Sequence, residues 1–290
     1  MTVPRLHIVG CGRTARALAR VLHASGGVRI GQVVNRSRAS SAEAVAFIGT
    51  GEPADSPGTL HADDWLMLGL PDGELAETAE QLAEQLPVQP ALVFHLSGSV
   101  SSEVLSPLGE NRAAVHPLRA FSDPERAVMH FGGTWCVAEG SAAVLDTLAP
   151  VFERAEARFV TFAPANKAAW HAATVAASNF LVVINGLARE LAVQAGVAED
   201  DARHMLADLQ AGTLASLKDM PAAQALTGPF ERADVAASRR LHAAVHEVLS
   251  PSRAALFDAL TRGTVELAQD KRGQRDADAE FLAGLTSRRD

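Results

Sequence analysis

The chain has 290 residues with 34 acidic and 26 basic side chains, which gives a formal net charge of −8. Broad contact with nucleic acid or an anionic membrane needs clustered Lys and Arg, so we expect neither partner. Hydrophobic residues make up 48% of the chain, which excludes a disordered protein and indicates one or two folded domains. No stretch approaches the roughly 20 uninterrupted apolar residues of a membrane span.

The cysteine content and the N-terminus point to a cellular compartment. Cys11 and Cys136 are too few for a disulfide framework or a zinc site, and we predict no metal site elsewhere. The N-terminus shows no charged region followed by a long apolar one, as a secretory signal would. We therefore expect a cytoplasmic protein.

The first 140 residues alternate short apolar runs with amphipathic segments, the pattern of βαβ units and a parallel sheet. The predicted strands cover residues 5–9, 30–35, 65–70, 91–96, 113–116 and 133–137. Predicted helices cover residues 13–24, 41–47, 73–86 and 142–156, and a short strand is expected at 158–162. This α/β pattern predicts an N-terminal Rossmann domain with a doubly wound sheet over residues 1–160.

After residue 160, Ala, Leu, Arg and Glu at helical spacing dominate. They predict a second, all-α domain over residues 161–290. Its predicted helices cover residues 166–196, 198–218, 233–248 and 252–269. We interpret the charged segment 270–290 as an arm or a partly disordered tail.

A glycine motif follows the first predicted strand and opens a helix. Gly10, Cys11, Gly12, Arg13 and Thr14 begin the pattern G-x-G-x-x-A. Glycines at these positions allow a tight turn and a close approach to a pyrophosphate, which the helix N-terminus receives. The motif predicts a dinucleotide site, and the alternative is a tight turn without a ligand.

The end of the second predicted strand bears on which dinucleotide binds. An acidic residue there would hold the ribose hydroxyls of NAD, but this chain has Asn35, Arg36, Ser37 and Arg38. A guanidinium can bind a 2′-phosphate through charge-assisted hydrogen bonds, so NADP is favoured over NAD. The alternative is that Arg36 and Arg38 only solvate a loop.

Ligands of doubly wound folds lie beyond the carboxyl ends of the strands. After two of these strands, Leu70, Pro71 and Asp72 are expected to line the cofactor, and Ser97 to contact cofactor and substrate. Ser97 has an equal alternative as part of a helix N-cap turn. His116, held extended by the following proline, is a candidate acid or base, or else a structural histidine.

The predicted helix from residue 166 carries one thin polar stripe on an otherwise apolar surface. Its members at helical spacing are Lys167, His171, Thr174, Ser178 and Asn185, while Asn179 is the main polar residue outside it. Such a helix is expected to be central with its stripe facing a cleft. The alternative is a buried polar seam between helices.

Together these segments resemble a bacterial family that pairs a Rossmann-like domain with a helical domain of unknown function. The family lies in the superfamily with 6-phosphogluconate dehydrogenase-like C-terminal domains, alongside pyrroline-5-carboxylate reductase and prephenate dehydrogenase. The resemblance covers about residues 4–268 and includes the glycine motif and the segments listed next. Those segments are Asn35 to Ser37, His95 to Gly98, Val115 to Leu118, Lys167 with His171, Ser178 with Asn179, and Leu226 to Pro229 followed by Arg232 and Asp234.

The resemblance implies an NADP-dependent oxidoreductase that forms a homodimer through its helical domains, with the active site between the two domains. Lys167 matches the proton-donating lysine of related hydroxyacid dehydrogenases, whereas His171 replaces their asparagine. The loop at Thr227 is expected to reach the cleft from its own or the partner subunit. There Arg232 would hold a substrate carboxylate, although a turn with a surface arginine gives the same pattern.

Two functions follow as hypotheses. The first is hydride transfer between NADP and a small carbonyl or imine substrate with a carboxylate. Lys167, His116 and His171 are its candidate catalytic residues, and the candidate substrate contacts are Ser97, Ser178, Asn179, Thr227 and Arg232. The second is a sensor or scaffold that binds NADP without chemistry, because a fold does not fix a function.

Overall fold

A computed structural model of the chain describes residues 3–58, 60–162 and 166–286. The chain forms two compact units, one ending at Ser178 and the other starting at Asn179. The first unit therefore extends beyond the predicted domain boundary at residue 160.

An eight-stranded sheet forms the centre of the first unit, in the order β3-β2-β1-β4-β5-β6-β7-β8. Strands β1 to β6 are parallel, β7 is antiparallel to β6, and β8 is parallel to β7. The strands are β1 Arg5–Val9, β2 Arg29–Val34, β3 Glu52–Ala54, β4 Trp65–Leu68, β5 Leu92–His95, β6 Arg112–Pro117, β7 Trp135–Gly140 and β8 Arg158–Thr161. The order of the first six is that of a Rossmann sheet, so the predicted doubly wound α/β fold is confirmed.

Both faces of the sheet are buried, as expected where helices cover each side. Successive strand residues alternate between two apolar clusters, with Ile8 and Met67 in one and Val9 and Leu68 in the other. The helices of this unit are α1 Arg13–Ala24, α2 Arg38–Ile48, α3 Leu75–Gln85, α4 Pro124–Met129, α5 Ala142–Arg154 and α6 Lys167–Val175. A 3-10 turn at Asp72–Glu74 precedes α3, and another covers Ser102–Leu108.

The second unit is helical in its described residues. Its helices are α7 Leu181–Gln194, α8 Glu199–Asp219, α9 Ala222–Ala225, α10 Pro229–Arg232, α11 Val235–Val248, α12 Pro251–Arg272 and α13 Asp276–Thr286. One apolar cluster joins α7 to the hairpin of α11 and α12 through Leu187, Val245, Leu249 and Ala254. The predicted all-α character of this half is confirmed.

The prediction of a charged arm from residue 270 is wrong as far as residue 286. Helix α12 continues to Arg272, and α13 packs Phe281 against Val265. Arg272 also forms a buried ion pair with Asp278, with Nη2 and Oδ1 2.7 Å apart. The charged composition of this segment did not indicate the apolar contacts of Phe281 or the ion pair within the segment.

The single helix predicted for residues 166–196 is interrupted. A π turn at Ala176–Phe180 separates α6 from α7. Because a π turn bonds residue i to i+5, the 100° spacing used to predict the stripe does not continue across it. Lys167 and His171 belong to the first unit, while Asn185 belongs to the second and donates to Gln210.

The helical stretch Lys167–Gln194 is long and apolar enough to cross a membrane, with a mean hydropathy of 1.4. One such stretch is weak evidence for a membrane span. The central position expected from sequence is not seen in the single chain, where only 6% of its most apolar window is buried.

Candidate active site

The turn between β1 and α1 leaves its backbone open at a helix N-terminus. Gly10 has φ of 78°, and a Cβ there would lie 2.4 Å from Leu70 Cδ2. A Cβ on Gly12 would meet no atom within 4 Å, and this N-cap residue provides no side-chain cap to α1. The first turn of α1 also carries no acidic residue. These features fit a pyrophosphate bound by backbone amides. Arg13 and Thr14, two of the predicted cofactor contacts, are the first two residues of α1.

Asn35 ties the end of β2 to this turn. Its Oδ1 accepts a hydrogen bond from the Cys11 amide at 2.6 Å, and its Nδ2 donates to the Ser40 carbonyl oxygen at 3.0 Å. The Ser37 hydroxyl caps α2 by accepting from the Ser40 amide. Asn35 and Ser37, both predicted cofactor contacts, therefore also shape the loop from within.

The two arginines of this loop differ in their surroundings. Arg38 Nη1 lies 3.3 Å from Asp55 Oδ2 in an exposed ion pair. Arg36 is also exposed, and no ion pair is found for it among the described residues. Arg36 is thus the better placed of the two to meet an external anion.

Polar side chains after β4 and β5 are hydrogen-bonded to one another. The Ser99 hydroxyl donates to Asp72 Oδ2. Partial burial raises the pKa of Asp72, but hydrogen bonds from Ser99 and Ser97 outweigh burial and hold the pKa below its ordinary value. The Ser97 Oγ accepts from the amides of Ser99 and Val100, both at 3.1 Å. Ser97 therefore accepts backbone hydrogen bonds as a helix N-cap residue does, which is the alternative that the sequence left open for it.

His95 holds this loop from inside the protein. Its Nδ1 accepts from the Ser97 amide at 3.1 Å, and its Nε2 lies 3.3 Å from the Ser101 carbonyl oxygen, which assigns the proton to Nε2. Burial lowers the pKa of His95 to about 4. A neutral, fully buried histidine thus positions the serine loop.

Two histidines face each other across Gly98. The rings of His116 and His171 lie with centroids 5.8 Å apart. A Cβ on Gly98 would lie 2.5 Å from His116 Nδ1 and 2.9 Å from His171 Nδ1. Burial, followed by the charges of His171 and Lys167, lowers the pKa of His116 to about 4. His116 is therefore neutral at pH 7, and its buried Nδ1 has no hydrogen-bond partner in the described structure.

Lys167 is held by a carboxylate from β7. Its Nζ lies 2.9 Å from Glu139 Oε1, and the two side chains are 15% and 11% exposed. Glu139 Oε1 also accepts from the Ser102 amide at 2.9 Å. Burial raises the pKa of Glu139, but the hydrogen bonds from Lys167 and Ser102 outweigh it and lower that pKa. Lys167 is therefore an ammonium group fixed at the start of α6.

A pocket within the first unit brings these groups together. It is lined by Gly98, His116, Val137, Ala138, Glu139, Phe162, Lys167 and Trp170. The Phe162 and Trp170 rings meet edge to face at 5.2 Å and form its apolar side. A fixed ammonium, a neutral imidazole and an aromatic wall suit a small polar substrate that receives a proton.

Four predicted substrate contacts lie elsewhere. Ser178 is exposed at the end of the first unit, while Asn179, Thr227 and Arg232 belong to the second unit. Arg232 ends the four-residue helix α10, and its carbonyl oxygen accepts from Arg275 Nη1 at 3.1 Å. These four residues are not part of the pocket described above.

Glu139 is the charged residue of this pocket that the sequence did not predict. The predicted strand stopped at residue 137, whereas β7 continues to Gly140 and runs antiparallel to β6. His116 pairs directly with Val137, and alternation along the strand places Glu139 on the same face. A longer strand with that alternation was the one signal that could have identified it.

Family profiles match both halves of the sequence. Residues 2–119 match a Rossmann-like domain, and residues 134–264 match a domain of unknown function, DUF2520. The chain therefore joins a Rossmann-like domain to a DUF2520 domain. The resemblance inferred from sequence is thus confirmed for this domain pairing, whereas the curated proteins include no match.

Solved structures share the fold of this Rossmann–DUF2520 protein. A candidate NADP oxidoreductase, BF3122 from Bacteroides fragilis, is 21% identical with a TM-score of 0.75, over 91% of this chain and 98% of that one. An imine reductase from Myxococcus stipitatus in complex with NADP⁺ is 18% identical with a TM-score of 0.63, over 97% and 99%. A pyrroline-5-carboxylate reductase from Coxiella burnetii is 18% identical with a TM-score of 0.59, over 93% and 99%.

Proposed function

We propose that this Rossmann–DUF2520 protein is a cytoplasmic NADP-dependent oxidoreductase that transfers a hydride to or from a small carbonyl or imine substrate bearing a carboxylate. The observation that carries the proposal is the Lys167–Glu139 ion pair beside the neutral His116 in one pocket of the Rossmann unit. A largely buried ammonium next to an unpartnered imidazole nitrogen is typical of catalytic sites.

The cofactor is assigned to the turn after β1. The amides opened by Gly10 and Gly12 would hold the pyrophosphate, and Leu70, Pro71 and Asp72 would border the nucleotide beyond β4. Arg36 would bind the 2′-phosphate, which favours NADP over NAD. When bound, the reduced cofactor supplies a hydride.

Lys167 is the proposed proton donor. Reduction of a carbonyl or an imine needs one proton on the oxygen or nitrogen, and Lys167 Nζ can provide it from the pocket wall. His116, with a pKa of about 4, is a neutral hydrogen-bonding partner for the substrate rather than an imidazolium acid. His171, with its ring centroid 5.8 Å from that of His116, is the other candidate acid or base.

The substrate class rests on charge and on the related folds. An imine reductase and a pyrroline-5-carboxylate reductase share this fold, so a C=N bond and a carboxylate are the substrate features to test first. Lys167 and Glu139 both line the pocket, and the Lys167 ammonium can donate a hydrogen bond to a substrate carboxylate. Ser97, next to the pocket residue Gly98, is the proposed substrate contact from this unit.

The proposed assembly is a homodimer formed by the helical unit. Val182 on α7 is 71% exposed, and Met205 and Leu209 on α8 are 62% and 67% exposed. Apolar side chains this exposed on two adjacent helices are typical of a covered interface. Sedimentation velocity should give twice the chain mass for the wild type and the chain mass for Leu209→Glu, whereas a monomeric wild type would refute the dimer.

The alternative function is an NADP sensor or scaffold. It shares the open glycine turn and predicts cofactor binding without turnover. It gives the Lys167–Glu139 pair a structural role only, whereas the enzyme also uses its ammonium as a proton donor beside His116.

The deciding experiment measures NADPH oxidation with panels of 2-keto acids, 3-keto acids and cyclic imino acids. The enzyme hypothesis predicts turnover of at least one class, with kcat reduced about 100-fold or more in Lys167→Ala. Lys218→Ala, a lysine in the last turn of α8, is the matched control and should keep wild-type kcat. NADPH binding without turnover would favour the sensor, and unchanged kcat in Lys167→Ala would refute the proposed donor.

A further inference from the structure

A cluster of two histidines and one aspartate lies in the helical unit. His242 and His246 are one helical turn apart on α11, and Asp258 faces them from α12. Their candidate ligand atoms all lie within 4.8 Å of one another. No other group of three such side chains with metal-binding spacing is found among the described residues. All three belong to one unit, so the cluster is complete within it.

The distances fit one metal ion. The Nε2 atoms of His242 and His246 each lie 3.1 Å from a different oxygen of Asp258. Ligand atoms around a tetrahedral zinc, each at about 2.0–2.1 Å, are roughly 3.3 Å apart. The three side chains therefore need little movement to share an ion.

The backbone beneath the cluster is well fixed. Only Leu249 and Ser250 connect α11 to α12, and Pro251 begins α12. Val245, next to His246, is 4% exposed, and Ala254, one turn before Asp258, is 1% exposed. Packing at both positions sets the separation of the two helices and hence of the ligands.

The surface around the cluster leaves access for an ion. His242 and Asp258 are 12% and 16% exposed, and His246 is 34% exposed. Because two of the three ligands are imidazoles, the set suits Zn²⁺, Co²⁺ or Ni²⁺ better than Mg²⁺ or Ca²⁺, which prefer oxygen ligands. A water molecule would supply the fourth ligand of a tetrahedral ion.

We propose that His242, His246 and Asp258 bind one divalent transition-metal ion, such as Zn²⁺, which joins α11 to α12. The sequence predicted no metal site, because the two cysteines are too few for one. That prediction did not place Asp258 next to the histidines of α11. Histidines four residues apart share a helix face, but a third ligand from another helix becomes visible only in the fold. The site lies outside the proposed oxidoreductase chemistry and does not depend on it.

The test is Zn²⁺ titration of the full-length, metal-free protein by calorimetry. We expect one Zn²⁺ per chain, and an affinity at least about tenfold lower in His246→Ala and in His242→Ala. His204→Ala is the matched control, because His204 is an exposed helix histidine of the same unit that bonds the Asp200 carbonyl oxygen. It should bind Zn²⁺ as the wild type does.

A second measurement separates this site from surface binding. Co²⁺ should give the intense visible absorption of a tetrahedral complex in the wild type and in His204→Ala, but not in His246→Ala. Circular dichroism checks that each variant is folded. Absence of Zn²⁺ binding by the wild type, or equal affinity in His246→Ala and the wild type, would overturn the proposal.

Discussion

Lys167 Nζ and Glu139 Oε1 lie 2.9 Å apart, which links the first turn of α6 to the antiparallel strand β7. Both side chains are largely buried, so each charge depends on the other for solvation. The same pair positions an ammonium in the pocket and attaches α6 to the Rossmann unit. A change at Glu139 is therefore expected to affect stability as well as catalysis.

Glu139→Gln should lower the free energy of unfolding by about 1–3 kcal/mol at pH 7, because it leaves a largely buried ammonium without its counter-charge. Urea unfolding measures this difference. Glu103→Gln is the control, since Glu103 is 71% exposed in its ion pair with Arg112. A change there should be within about 0.5 kcal/mol.

The pH dependence of this effect has a defined sign. The folded-state pKa of Glu139 is lowered, so its contribution is fully present above the unfolded-state pKa of about 4.3 and is lost as pH falls through the folded-state pKa. The difference between wild type and Glu139→Gln should therefore shrink below about pH 4. An equal difference at pH 7 and at pH 3 would argue against the buried ion pair.

His116 should remain neutral down to about pH 5, because burial and its cationic neighbours lower its pKa to about 4. Its imidazole resonance in NMR spectra, assigned with His116→Gln, should titrate near pH 4. The pKa should rise in Lys167→Met, since that variant removes a positive charge. A wild-type midpoint above pH 6 would contradict the neutral role given to this ring.

The low pKa of His116 should also make the free energy of unfolding depend on pH. A histidine whose folded-state pKa lies below its unfolded-state value of about 6.5 binds a proton more readily when unfolded. The free energy of unfolding should therefore decrease as pH falls from about 6.5 to 4, and His116→Gln should weaken this dependence. Urea unfolding at several pH values is the measurement, and an unchanged slope would count against a buried neutral histidine.

The parts of the fold that the sequence predicted well are those with a local signal. The glycine turn after β1 and the short apolar runs of the parallel strands depend on neighbouring residues, and α1 has the predicted bounds Arg13–Ala24. The antiparallel direction of β7 depends on long-range pairing with β6. The sequence therefore could not show that Glu139 lies on the same face of the sheet as His116.

Helix α6 was likewise predicted only where the sequence carries a local signal. The π turn at Ala176–Phe180 has no local signal in an alanine-rich segment, so the stripe was extended too far along the chain. Lys167 and His171 were still identified correctly as neighbours, because four residues within one α-helix share a face. The distance of His171 from His116 could not be predicted, since it depends on where α6 meets the sheet.

Gly98→Ala should disturb the histidine pair. The added Cβ would lie 2.5 Å from His116 Cε1 and Nδ1, and 2.9 Å from His171 Nδ1, so at least one ring must move. We expect kcat/KM for the identified substrate to fall at least about tenfold, because displacement of a substrate-binding group by even 1 Å is costly. Gly212→Ala, where a Cβ meets no atom within 4 Å, should leave kcat/KM unchanged. Wild-type kcat/KM in Gly98→Ala would exclude a role for the two rings.

Arg36→Ala should distinguish NADPH from NADH. A guanidinium that binds a 2′-phosphate forms charge-assisted hydrogen bonds worth about 1.5–3 kcal/mol, so the Kd for NADPH should rise about tenfold or more. The Kd for NADH should not change, because NADH has no 2′-phosphate. Arg38→Ala is the control from the same loop, and it should have a smaller effect because Arg38 already pairs with Asp55. Equal losses for the two cofactors, or tighter binding of NADH by the wild type, would show that Arg36 does not select NADP.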